Sequence, residues 1–287
     1  GHEEFSRRFQ RPILKGDEEA AEGLRKRIRP FILRRMKGEV APDLPPKVEN
    51  ILWSEFGPAQ ASLYRNLLAA GREKVLHAIE HKGMTRARPS ILEALLRLRQ
   101  VCCHPAVLPD GLGRDVASAK FDQFRDFTAE VLEEGHRVLV YSQFVQVLTL
   151  LREWFEAQEI PHVYMDGRTR DRAGRVRSFQ EDPAMRAFLV SLKAGGTGLN
   201  LTGADYVILY DPWWNPAVET QATDRAHRIG QTRAVFAYRM VAKGSVEEKI
   251  RKLQERKKAV SADIIRSEGE WGLFRDEADL LWLFEEE

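Results

Sequence analysis

From Lys120 onward, short apolar runs alternate with longer amphipathic ones, and this alternation limits the possible folds more than any other feature of the chain. The runs at 137–141, 162–165, 187–191, 206–210 and 235–241 have the length and the β-branched or aromatic content of strands. They are close to continuously apolar, as strands covered on both faces are. Between them the spacing predicts helices over 144–158, 168–181 and 216–229. Such alternation predicts an α/β fold: a parallel sheet with helices on both faces, whose ligand-contacting loops lie at the carboxyl ends of the strands.

Residues before about 117 lack this alternation. They open on an Arg-rich segment at 28–37 and a Pro-rich turn at 42–47, then a strand over 48–53. Two helices are predicted over 59–81 and 89–101, joined by a basic linker at 82–88; in the second, Ile91, Leu95 and Leu98 form one apolar stripe. After the last strand Val246, Ile250, Leu253, Val260 and Ile264 line a charged helix supported by Glu247–Arg251 and Glu248–Lys252 pairs. The expected division is a linking segment (1–54), a helical insertion (55–116), the sheet lobe (117–245), and a brace helix with an acidic tail (246–287).

No apolar run approaches the roughly 20 residues that cross a bilayer, and the opening residues lack the apolar stretch of a secretion signal. The two cysteines are adjacent, Cys102 and Cys103, and cannot staple a fold, which points to a reducing interior. The net charge of +2 conceals an asymmetry: residues 267–287 hold eight acids and one base, −7, so the remainder is +9. That excess suits a polyanion, although many ordinary proteins are as basic.

Two stretches carry chemistry. Ser191 to Leu201 runs from a strand into a loop with Gly195, Gly196 and Gly198, together with Lys193, Thr197 and Asn200. Glycines let backbone amides approach a phosphate, but a tight turn would use them equally well. The loop is not a P-loop, since no Gly-Lys-Ser or Gly-Lys-Thr follows. Downstream, Pro216 suits a helix start, and Gln221, Asp224, Arg225 and Arg228 follow; Gln221, Arg225 and Arg228 are spaced to share one helical face. Two guanidiniums there suit phosphate oxygens, or form a solvated basic face. Two decoys are set aside: Asp276-Glu277-Ala278-Asp279 lies in the acidic tail with no apolar strand before it, and Cys102-Cys103-His104 has no second Cys/His pair at zinc spacing. No metal site is expected in this chain.

The run from Ser191 to Gln231, with its Ala-Gly-Gly-Thr-Gly-Leu-Asn-Leu loop and Asp-Arg-Ala-His-Arg-Ile-Gly-Gln ending, resembles the last two motifs of SWI/SNF-type ATPases, a branch of helicase superfamily two. Arg29 to Arg35, Leu98 to Pro105, Ser118 to Phe121, Val140 to Phe144, Asp166 to Thr169 and Arg175 extend the resemblance over nearly the whole chain, in order.

The resemblance implies a RecA-like lobe, the second of two, acting with a first lobe of the same protein that holds ATP and Mg2+ in a P-loop. Arg225 and Arg228 would be arginine fingers, with Gln221 orienting the nucleotide and Gly198, Asn200 and Asp224 near it. Ser142, Gln143, Arg168, Thr169, Lys193, Gly196 and Thr197 would touch the phosphates of double-stranded DNA without reading its sequence. No Gly-x-x-x-x-Gly-Lys-Ser/Thr occurs, so the chain is expected to be part of a longer DNA translocase and inactive alone. A strand-separating RNA or DNA helicase, or a DNA-binding module without catalysis, are the alternatives. The short segment at 109–117 favours a bacterial or archaeal cytoplasm; the DNA-bound protein acted on is not legible.

Overall fold

The computed structural model describes residues 2–14, 16–28, 31, 41, 43–194, 198–260 and 277–285. The chain divides into two compact units, 1–44 and 45–287. In the first, His2–Phe5, a π-helical stretch Ser6–Gln10 and Arg11–Leu14 precede α1 (Glu18–Ile28). Phe9 is its buried anchor, with the guanidiniums of Arg8 and Arg27 5.6 and 5.5 Å from its ring centre.

The second unit is built on six parallel strands: β1 (Lys47–Ser54), β2 (Val138–Ser142), β3 (His162–Met165), β4 (Ala187–Ser191), β5 (Tyr206–Leu209) and β6 (Val235–Ala242), in the order β1-β6-β5-β2-β4-β3. Strands β2 and β4 are buried at every residue, which is why their sequences show no polar alternation. The helices are α2 (Pro58–Cys103), α3 (Ala119–Glu133), α4 (Val145–Ala157), α5 (Arg172–Glu181), α6 (Pro216–Thr223), α7 (Val246–Val260) and α8 (Glu277–Trp282). One core, including Phe124, Val140, Leu151 and Ile208, lies on one side of the sheet; a second, including Leu139, Phe179, Leu201 and Ala226, lies on the other.

The expected division at residue 54 does not match the chain's own: Lys47–Ser54 pairs along its whole length with β6, so this segment completes the sheet. The basic linker expected at 82–88 is also replaced. Helix α2 is broken at Gly83 alone, whose φ of +73° favours glycine. Its two arms fold back on each other: Gln60 Nε2 donates to the Val101 carbonyl at 2.8 Å, Lys74 pairs with Glu93 at 2.7 Å, and a Cβ on Gly71 would lie 3.3 Å from that of Ala94. This helical hairpin shares a third core with α7 and α8 through Leu95, Ile250 and Leu280. Cys103 ends the hairpin, and His104 Nδ1 accepts from the Ala106 amide to start the next turn. Of the other decoy, Asp276 lies outside the described residues, while Glu277 to Asp279 begin α8. Among the described residues no helix is long and apolar enough to cross a membrane.

A buried ion pair joins these parts. Lys120 on α3 and Glu247 on α7 are both inaccessible to solvent; Nζ donates to Glu247 and, at 3.3 Å each, to the carbonyls of Tyr210 and Met240. All three ammonium hydrogens thus have acceptors, at the ends of β5 and β6 and on α7. Burial pulls the lysine pKa down, but Glu247 overcomes this and raises it, so the ammonium stays charged. Replacing Lys120 with alanine strands a buried carboxylate; chemical denaturation is expected to register a loss of about 3–5 kcal/mol, and Lys120→Ala combined with Glu247→Gln should recover part of it.

Candidate nucleic-acid and nucleotide interface

The carboxyl ends of β2 and β5 meet in a network centred on Asp211, which has no solvent exposure. Its carboxylate accepts from Ser142 Oγ and Gln143 Nε2, both at 2.5 Å, and from the Gln143 amide at 3.2 Å. Arg99, reaching in from the hairpin with 2% exposure, places Nη2 3.6 Å from Asp211, donates to the Pro212 carbonyl and donates from Nη1 to Gln143 Oε1 at 3.0 Å. Its guanidinium lies 4.7 Å from the Trp214 ring centre. Burial pushes the Asp211 carboxyl up; Arg99 and the Ser142 hydroxyl oppose it.

The side chains of Ser142 and Gln143, expected at a duplex, are thus both engaged by Asp211, and Gln143 by Arg99 as well. Ser142 is fully buried, and both ends of the Gln143 amide are engaged internally. These bonds shape the loop that follows β2. Arg99 and Asp211 were not assigned a role from sequence; the available signal was a cation set among the core positions Leu95, Leu98 and Val101, and an acid just after a buried strand.

Strands β3 and β4 are neighbours, so the loops after them open on the same edge. After β3, Asp166 closes a turn by accepting from the amide of Arg168 at 2.9 Å, and Thr169 Oγ1 accepts from the Asp166 amide at 3.0 Å. Burial works against the Asp166 carboxylate, but these donors hold its pKa below the usual range. The turn leaves the Arg168 side chain exposed while occupying the Thr169 hydroxyl. After β4, Lys193 is exposed. Gly196 and Thr197 lie outside the described residues; Gly198, at φ +41°, and Asn200 are exposed beyond them.

The helix expected over 216–229 stops at Thr223, so Gln221, Arg225 and Arg228 do not share a helical face. Beyond Thr223 the bonding departs from the helical pattern: the Ala226 amide donates to Thr223 O at 3.2 Å, Arg225 O accepts from the Leu201 amide at 3.0 Å, and Ala226 O accepts from Gln231 Nε2 at 3.2 Å. Gln231 also donates to Thr202 O and Ala204 O, at 3.1 and 2.9 Å, and Gly230 turns the chain at φ +103°. The outcome is a fixed loop that turns Arg225 inward, 7% exposed beside Tyr141 of β2, and Arg228 outward to solvent; Gln221 is exposed. Asp224 is half-buried, 3.8 Å from Lys47. The start of α6 is held separately: buried Glu219 accepts from the Trp213 amide at 2.7 Å and from Arg239 Nε at 2.8 Å.

Substituting Arg99 with methionine keeps much of the side chain's volume but leaves Asp211 buried without its cation. Urea unfolding is expected to show a loss on the order of 3 kcal/mol.

Residues 119–230 match the helicase conserved C-terminal domain and residues 2–107 the SNF2-related domain. A Bacillus subtilis protein, YwqA, named as an ATP-dependent helicase/translocase, is 39% identical over 92% of this chain and 29% of its own length. The Saccharomyces cerevisiae TATA-binding protein-associated factor MOT1 is 32% identical over 98% of this chain and 18% of its own. The chain thus spans less than a third of the length of either relative. Among solved structures, the Sulfolobus solfataricus SWI2/SNF2 ATPase core in complex with double-stranded DNA superposes with a TM-score of 0.70 at 34% identity, covering 100% of this chain and 61% of that one. The C-terminal domain of the Sulfolobus solfataricus ATPase gives 0.68 at 29% identity, covering 84% and 99%. The SNF2-related and helicase C-terminal matches, with the superposition on the SWI2/SNF2 ATPase C-terminal domain, establish that the chain belongs to the SWI/SNF-type helicase family and contains its C-terminal RecA-like lobe.

Proposed function

We propose that this chain is the nucleotide-completing and duplex-gripping half of an ATP-driven translocase on double-stranded DNA. The observation that carries the reading is the loop from Asp224 to Gln231, pinned by one glutamine to three carbonyls and holding Arg228 in solvent. A guanidinium held in this way is ready to meet a triphosphate presented by another lobe. It then stabilises charge on the γ-phosphoryl oxygens as the bond to the leaving group breaks. Gln221, exposed on α6, orients the same group, and the exposed backbone around Gly198 and Asn200 borders it. Arg225, turned toward Tyr141, reaches the nucleotide only after the loop rearranges; Arg228 needs no such movement.

The residues present fit the capping half of such a site. No P-loop occurs in the sequence, so ATP and its Mg2+ would be held chiefly by the first lobe, and hydrolysis by this chain alone is expected to be negligible. On the DNA side, Arg168 and Lys193 on adjacent loops supply cations for backbone phosphates, with the Gly196–Thr197 segment between β4 and Gly198. Such contacts are independent of base sequence and sensitive to salt. The DNA complex of the Sulfolobus ATPase core supports a duplex as the partner.

In a protein carrying both lobes, Arg228→Ala is expected to lower DNA-stimulated ATP hydrolysis by about 10³-fold or more while duplex affinity stays within twofold of wild type. Arg225→Ala should also lose hydrolysis, with an added loss of stability because that side chain is buried. Undiminished turnover in Arg228→Ala would overturn the finger assignment.

A further inference from the structure

The loop that carries Arg228 is tied to the rest of the second unit by more than its clamp. Gln231 fixes the far end through the carbonyls of Thr202, Ala204 and Ala226, and the Arg225 carbonyl takes the Leu201 amide. A further tie lies next to Arg228 itself. His227, half-buried, places Nε2 2.7 Å from the Pro45 carbonyl oxygen. A carbonyl only accepts, so the proton is on Nε2 and the imidazole donates. The His227 amide is held too, donating to Thr223 O at 3.1 Å. With ring and amide both engaged, His227 fixes the peptide that leads into Arg228.

Pro45 opens the second unit, where the chain enters β1. The ladder between β1 and β6 begins one residue later, where the Pro46 carbonyl accepts from the Val235 amide at 3.0 Å. The Pro45 carbonyl falls outside that ladder and receives its donor from the finger loop instead. Neither proline has an amide hydrogen, and each ring holds φ near about −65°. Two consecutive carbonyls, one bonded to the loop and one to β6, thus sit on a segment with little torsional freedom. Beside it Lys47 Nζ lies 3.8 Å from Asp224 and 2.7 Å from Glu49. Strand entry and loop therefore meet twice, at Asp224 and at His227. Pro45 and His227 are both half-buried, where water could satisfy either group. Water could not hold loop and strand entry at a fixed separation.

We infer that His227 is a positioning residue for the Arg228 finger, with the Pro45–Lys47 entry segment as its anchor. It acts through Arg228 rather than on the nucleotide: it holds the Arg228 backbone against the sheet, so the guanidinium meets the γ-phosphoryl group without a search over loop conformations. A misplacement of about 1 Å at such a group can cost on the order of a hundredfold in rate. The inference rests on the finger reading above and adds what sets the finger's place.

The test is steady-state ATP hydrolysis, at saturating DNA duplex, by a protein carrying both lobes. His227→Phe keeps an aromatic ring but removes the donor; kcat is expected to fall roughly ten- to hundredfold, with KM for ATP and duplex affinity within about twofold of wild type. His227→Gln, whose amide donates from nearly the place of Nε2, should recover most of that loss. Pro45→Gly leaves the carbonyl but frees φ, and is expected to lower kcat at unchanged KM as well. In an Arg228→Ala background His227→Phe should lower the residual rate no further, because a residue acting through another has no effect once that other is gone. Wild-type kcat in His227→Phe, an equal loss in His227→Gln, or a further loss on top of Arg228→Ala would each sink the positioning role and leave the finger reading intact. Should the phenylalanine variant fail to fold, an unchanged kcat in Pro45→Gly does the same. Undiminished turnover in Arg228→Ala would remove both.

Discussion

The second unit depends on an ion pair that water does not reach. Lys120 and Glu247 sit where α3, α7 and the ends of β5 and β6 converge, and each donor and acceptor there is used: Glu247 also accepts from the Ala242 amide at 2.9 Å. Burying two opposite charges gains little net stability over an apolar pair of the same volume. It does impose a geometry, because a lysine with three fixed acceptors tolerates no sliding of one element past another. The helix following the last strand is thereby locked to the helix preceding the first strand of the sheet's centre. Cys103, at the foot of the hairpin, lies 3.7 Å from the same carboxylate, so the insertion is keyed into this junction as well.

A second buried cation plays a comparable part closer to the candidate interface. Arg99 projects from the hairpin into the space between the ends of β2 and β5, and through Asp211 and Gln143 it sets the path of the loop that follows β2. The hairpin is therefore a strut for the loop that follows β2. Residues that look like ligand contacts in a linear motif hold that strut in place, whereas the side chains left in solvent, Arg168, Lys193 and Arg228, sit on turns organised by neighbours: Asp166 for the first, Gln231 for the last.

The parallel sheet was legible in the sequence because strands covered on both faces must be continuously apolar over four to eight residues, a pattern visible without knowing which strands pair. The helix ends were less so. Past Thr223 the carbonyls of Arg225 and Ala226 go to the Leu201 amide, distant in sequence, and to the Gln231 side chain, five residues on, rather than to a continuing helix. For the same reason spacing placed Arg225 and Arg228 together when the loop faces them apart. The bonds from Ser142 and Gln143 to Asp211 were not legible because that partner is 69 and 68 residues away. Gly83 was read as part of a linker, whereas a single left-handed glycine suffices to reverse a helix when both arms have an apolar face to share.

The pairing of β1 with β6 has a consequence for how the chain is made. Lys47 and Val235 are neighbours in the sheet although 188 positions separate them (235 − 47). At a ribosomal rate of about 5–20 residues per second, β1 waits roughly 10–40 s for its partner to emerge. Throughout that interval its eight residues offer unpaired amides and carbonyls, and Val48 and Trp53 offer apolar surface, to any other extended chain nearby. The polar residues within the strand, Lys47, Glu49 and Asn50, interrupt that surface, and Lys47 and Glu49 later take up ion pairs in the finished sheet. Charge that aligns the mature edge thus also guards the nascent polypeptide against clumping before its C-terminal half arrives.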